Sequence, residues 1–143
     1  MAYYKRGKCY MMMHDYKRAL YDLSAAILNE TRYLSRQPYS QIRSEGGLAL
    51  FFMCGGQCNY YLGQYEEALA HYQIALTKDK DKGESLTGLI YYNKGLANAS
   101  LMRYQEAIED FEQSLEKTQE SNKKYQAHFQ LGVVQRRVAN TQQ

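Results

Sequence analysis

Three histidines, three cysteines and two pairs of adjacent acids are the residues of this chain whose types do chemistry. Cys54 and Cys58 stand one helical turn apart and would supply half of a zinc set. No second pair and no histidine follows at ligand spacing, so they read as small packing residues rather than ligands. His14, His71 and His128 lie far apart in the chain, each without a carboxylate or thiol at ligand spacing. Glu66-Glu67 and Glu109-Asp110 have the look of solvated helix carboxylates, not of a general acid and base set on opposite sides of a substrate. Gly46-Gly47 and Gly55-Gly56 lack the lysine and hydroxyl residue that complete a phosphate-cradling loop. This inventory points away from an enzyme, from a metal and from a cofactor, because converging polar groups are what catalysis requires.

What the residues do show is repetition. Gly7, Gly56, Gly95 and Gly132 align, at steps of 49, 39 and 37 residues. Four residues before them stand Tyr3, Phe52, Tyr91 and His128. Nine after the first three stand Tyr16, Tyr65 and Tyr104; twelve after, Ala19, Ala68 and Ala107; sixteen after, Leu23, Tyr72 and Phe111; nineteen after, Ala26, Ala75 and Ser114. Apolar residues recur at helical spacing on both sides of each tyrosine, so each unit predicts two helices, with Leu62-Gly63-Gln64 as the turn of the second. A glycine inside a helix costs about 0.5–1 kcal/mol relative to alanine. Its return at one register makes sense where another helix packs close, against the small residues twelve and nineteen positions on. The bulky residues at minus four and plus sixteen then fill the wider gaps. One hairpin cannot bury its apolar face alone, so neighbours must stack. Between the first two units we expect a second helix extended to about Ser35, a loop around Pro38 and a new helix from about Gln41. The alternating charges of 78–83 predict a solvated loop.

This pattern resembles the tetratricopeptide repeat, with near-complete copies at 2–29, 51–78 and 90–117, a partial copy at 127–139 and an insertion at 30–47. The resemblance implies an all-α fold, a right-handed solenoid of antiparallel helix hairpins forming a single domain over 1–143. The chain departs from the family in lacking the proline that usually ends a repeat, in placing His128 where an aromatic belongs, and in steps longer than the usual period of about 34 residues. It begins and ends inside repeats, which reads as a segment of a longer array. The resemblance further implies a groove for a peptide or helix, lined at three before and one, four and five after each glycine. Those positions hold Tyr4, Lys8, Met11 and Met12; Met53, Gln57, Tyr60 and Tyr61; Tyr92, Leu96, Ala99 and Ser100; and Phe129, Val133, Arg136 and Arg137. Such a lining suits an apolar or amphipathic segment. A subset of the family clamps the acidic C-terminal tails of heat-shock chaperones with lysine, asparagine and arginine. Here the clamp positions hold Tyr4, Lys8, Cys54, Leu89 and Asn93, none matching; begun one copy later they hold Met53, Gln57, Asn93, Gln126 and Gln130, and only Asn93 matches. We therefore expect no chaperone-tail clamp.

Composition agrees with a packed helical protein. Of 143 residues 45% are apolar and one is proline, so long helices are open almost everywhere. Fifteen tyrosines supply area that packs on one side and meets a partner on the other. The net charge of +3 is mild, but residues 121–143 carry Lys123, Lys124, Arg136 and Arg137 with no acid. Basic ends suit acidic surfaces, although nothing else argues for nucleic acid. An odd number of cysteines in no dense pattern predicts reduced thiols and a cytoplasmic setting. The N-terminal residues lack the apolar stretch of a signal peptide, and Leu48–Cys54, the longest apolar run, is too short to span a bilayer. The expected function is a non-catalytic adaptor or scaffold. The alternative is a structural component that self-associates or packs into a larger, ciliary or flagellar, assembly.

Overall fold

The structure, a computed structural model, describes residues 2–36, 41–79 and 85–141, and every regular element among them is an α-helix. In chain order these are α1 (Ala2–Met12), α2 (Tyr16–Ser35), α3 (Gln41–Tyr61), α4 (Tyr65–Lys78), α5 (Ser85–Ser100), α6 (Tyr104–Lys117) and α7 (Ser121–Thr141). The loop expected at Pro38 and most of the charged loop at 78–83 lie outside the described residues. The chain divides into two compact units, Met1–Asp81 and Lys82–Gln143. In the first, α1 pairs with α2, α2 with α3, and α3 with α4; in the second, α5 pairs with α6, and α6 with α7.

The helix pairs follow from the small-residue register. Ala19, Ala68 and Ala107 are fully buried. At Gly56 an added Cβ would stand 2.5 Å from Cε1 of Tyr72, and at Gly95 2.7 Å from Cε1 of Phe111. Both rings are buried, so each glycine is a notch that receives the aromatic residue sixteen positions later. The first pair is looser: a Cβ at Gly7 would lie 3.2 Å from Cβ of Asp22.

All three hairpins turn in the same way. Seven residues after the aligning glycine, His14, Gly63 and Met102 have φ of 60°, 79° and 60°. The next N–H reaches back five residues, from Asp15 to Tyr10, Gln64 to Asn59 and Arg103 to Asn98, at 2.8, 2.8 and 2.9 Å. This closes the orphan carbonyls of the first helix with a left-handed residue. Glycine takes that conformation freely; histidine and methionine take it at a cost. Asp15 then caps α2 by accepting from the Arg18 N–H at 3.3 Å, while α4 and α6 start without a side-chain cap.

A polar tie joins each pair at the position fifteen after the glycine. Arg6 donates from Nε and Nη2 to the two carboxylate oxygens of Asp22, both at 2.8 Å. Asn98 donates to Asp110 at 2.6 Å, and the Lys94 Nζ lies 3.5 Å from the same carboxylate. In the middle pair the acid is replaced by His71, whose Nδ1 stands 2.6 Å from Nδ2 of buried Asn59. Since the amide nitrogen only donates, this Nδ1 accepts and the imidazole is neutral. The same register gives opposite electrostatics. The bidentate guanidinium holds the Asp22 carboxyl below its ordinary range. At Asp110 burial outweighs Lys94 and raises it.

Candidate functional site

In the unit Met1–Asp81 the expected partner-facing residues divide into buried and exposed sets. Met53 is 4% exposed and belongs to the core. Half-buried Tyr4 packs its ring 4.8 Å from that of Phe51, with the Lys8 Nζ 5.9 Å above it. Met11 and Gln57 are half-buried. By contrast Met12 is 78% exposed and Tyr61 61%. These last two stand at the hairpin turns, where α1 and α3 end.

There exposed Tyr61 is held by half-buried aromatic neighbours. Tyr61 stacks on Tyr16, centroids 4.8 Å apart and planes 16° from parallel. Tyr60 meets Tyr61 and Tyr65 edge-on, each at 5.4 Å. His14 donates to or accepts from the Tyr16 hydroxyl at 2.8 Å. Met12 and Met13 stand exposed nearby in sequence. Tyr16 and Tyr65 were assigned above only to the repeat register; their recurrence nine after each glycine was the available signal. Interlocked rings lose little entropy on meeting a ligand, and methionine adapts to irregular apolar shapes. Such a surface can bind apolar side chains while its hydroxyls stay wet. Burial pushes the Cys54 thiol up to about 11 and the Cys58 thiol up to about 12, which keeps both in the unreactive thiol form.

In the unit Lys82–Gln143, Tyr92 is half-buried with its ring 5.7 Å from Phe111, and Leu96 and Ala99 pack into the same cluster with Ala107 and Val134. Ser100, Phe129, Arg136 and Arg137 are exposed, and Val133 is half-buried. Gly88, Leu89, Tyr92, Ser114, Thr118, Lys123 and Gln126 line a cavity of about 10 Å³, room for roughly one water. Asn93 is buried, and its Nδ2 has no hydrogen-bond partner among the described residues. No group of three or more histidine, cysteine or acidic residues that could hold a metal occurs among the described residues. Nor is any described helix long and apolar enough to cross a membrane.

No protein-family model matches the chain. It is 28% identical over 138 residues to human Superkiller complex protein 3, and the match spans 80% of this chain and 9% of that protein. Among solved structures it superimposes on the first TPR of Spaghetti (RPAP3) bound to the HSP90 peptide SRMEEVD, with a TM-score of 0.68, 17% identity and coverage of 96% of this chain and 91% of that one. It matches the TPR domain of Sgt2 from Aspergillus fumigatus as well, with a TM-score of 0.68, 18% identity and coverage of 99% and 80%.

Proposed function

From a chain with the tetratricopeptide-repeat fold, we propose that this protein is a non-catalytic adaptor that holds an apolar or amphipathic segment of another protein. The observation that carries this is the interlocked tyrosine cluster of the first unit, exposed Tyr61 held by half-buried Tyr16 and Tyr60, with exposed Met12 and Met13 close to Tyr16 in the chain. A partly exposed aromatic cluster suits a partner surface, because aromatic rings are the usual anchors of interfaces. Unpaired thiols at Cys9, Cys54 and Cys58 fit a reducing compartment such as the cytoplasm.

The Spaghetti domain was solved with a peptide ending in acids. In this chain Cys54, at a clamp position, is buried, and Asn93, the one residue that matches the clamp, is buried as well. SRMEEVD should therefore bind more weakly than an apolar segment. The alternative reading is a structural component of a larger assembly, as in a cilium or flagellum, built by association of the chain itself. One experiment separates them. The chain, bearing a photocrosslinker at Gln57, is used to capture and map a partner, alongside a Tyr60→Ala/Tyr61→Ala variant checked for helix content by circular dichroism. Tyr92 is left intact because its ring also packs on Phe111. Loss of capture with helix content kept is the expected result. Normal capture by the folded variant would refute the surface, and concentration-dependent self-association in sedimentation would favour assembly.

A further inference from the structure

The turn between α1 and α2 gathers soft donor atoms. Cys9 has Met12 three and Met13 four residues after it. These are the two spacings at which helical side chains are neighbours, with Cβ atoms about 5–6 Å apart. The Met13 N–H donates to the Cys9 carbonyl at 3.1 Å, so the helical course holds through this turn although α1 ends at Met12. All three side chains reach solvent: Cys9 is exposed, Met12 is 78% exposed and Met13 70%. One thiol and two thioethers on flexible arms are thus free to close on a single ion. The arrangement belongs to this hairpin and not to the repeat. At the matching positions α3 has Cys58, Tyr61 and Leu62, and α5 has Ala97, Ser100 and Leu101, so exposed Met102 at the third turn has no sulfur beside it in the register.

The surroundings select the ion. A thioether is a neutral, polarisable ligand that suits Cu(I) better than harder cations. The hard donors of this turn are already engaged. Asp15 accepts from the Arg18 N–H at 3.3 Å and lies 3.4 Å from the Arg18 Nε, and the His14 Nδ1 stands 2.8 Å from the Tyr16 hydroxyl. Charge points the same way. α1 carries Lys5, Arg6 and Lys8 and no acid. One thiolate with a monovalent ion makes a neutral site in that setting, whereas a divalent ion would add net positive charge among cations. The last turn of a helix also carries the negative end of its dipole, which favours a bound cation.

We propose that Cys9, Met12 and Met13 bind one Cu(I) ion through their three sulfurs, the Cys9 thiol releasing its proton to water as the copper–sulfur bond forms. This goes beyond the adaptor reading, and Tyr60 and Tyr61 take no part in its test. The reduced full chain is titrated without oxygen against Cu(I) held by the chromogenic chelator bicinchoninate. One equivalent of copper should leave the chelator. In a chain labelled with methyl-13C methionine, the Met12 and Met13 methyl signals should move in step with that equivalent, while exposed Met102 stays in place. Cys9→Ser should weaken binding at least a hundredfold and Met12→Leu/Met13→Leu at least tenfold, both with helix content kept in circular dichroism. The proposal is overturned if the chain takes no Cu(I) from the chelator, or if Met12 and Met13 respond no more than Met102. It is overturned too if either variant binds like wild type, since Cys54 and Cys58 or the Cys9 thiol alone would then hold the ion.

Discussion

Replacing Gly95 by alanine tests the packing logic most directly, because Gly132 in the same unit supplies the control. A Cβ at Gly95 would stand 2.7, 2.8 and 2.9 Å from Cε1, Cδ1 and Cζ of Phe111. Carbon atoms in contact rest at about 3.5–4.0 Å, so the ring would have to retreat by roughly 1 Å. It has no free space to enter: Phe111 is 0% exposed and packed with Ala107, Val134 and Tyr92. Overpacking of this kind costs about 1–3 kcal/mol. Against it stands about 0.5–1 kcal/mol gained by removing a glycine from a helix interior. At Gly132 only the gain remains, because the Cβ meets nothing within 4 Å. The two variants should therefore shift stability in opposite directions. Their difference, about 1–3 kcal/mol, isolates the clash, since the backbone gain cancels. At about 2–4 °C per kcal/mol for a chain of this size, their melting midpoints should separate by roughly 2–12 °C. Urea unfolding followed by circular dichroism, with calorimetry alongside, measures both. Equal shifts of the same sign would show that Gly95 is not a notch and that the hairpin register argument is mistaken.

Three further outcomes are expected. Met102→Gly should stabilise the chain by about 1 kcal/mol, because it relieves a left-handed methionine at a turn; thermal melts showing no gain would mean that the turn carries no strain. Of the three thiols, exposed Cys9 should react quickly with a disulfide reagent at pH 8, while Cys54 and Cys58 should wait for unfolding. Three fast equivalents in the native chain would contradict their burial. Burial holds the His71 imidazole below its ordinary 6.5, so the unfolded chain takes up this proton more readily than the folded one. That contribution to stability is complete above about pH 6.5 and is lost as pH falls through the folded value. Denaturation midpoints between pH 7 and 5 should fall less steeply in His71→Gln, whose amide oxygen still accepts from Asn59; identical slopes would remove His71 as the cause.

Which residues share a helix face can be read from the chain alone. Close helix pairs demand small residues at fixed spacing, so Gly56 with Ala68 and Gly95 with Ala107 write the hairpin into the chain, and Tyr72 and Phe111 write what fills it. The turn at Gly63 was legible for the same reason, glycine being the residue that takes a positive φ freely. The equivalent turns at His14 and Met102 were not, because nothing in those side chains announces a left-handed backbone that tertiary packing imposes.

Coverage, too, was decided only in three dimensions. Met53 and Phe129 occupy the same register position, three before the glycine, yet one is 4% exposed and the other 56%. Asp22 and Asp110 share a register position and shift in opposite directions, because a bidentate guanidinium holds one down while at the other burial outweighs the amide and the more distant ammonium. The stacking of Tyr61 on Tyr16 joins two hairpins whose rings are 45 residues apart in the chain. Periodicity records which side chains point the same way. Whether another helix lies against them depends on contacts between distant segments, and these exist only once the chain has folded.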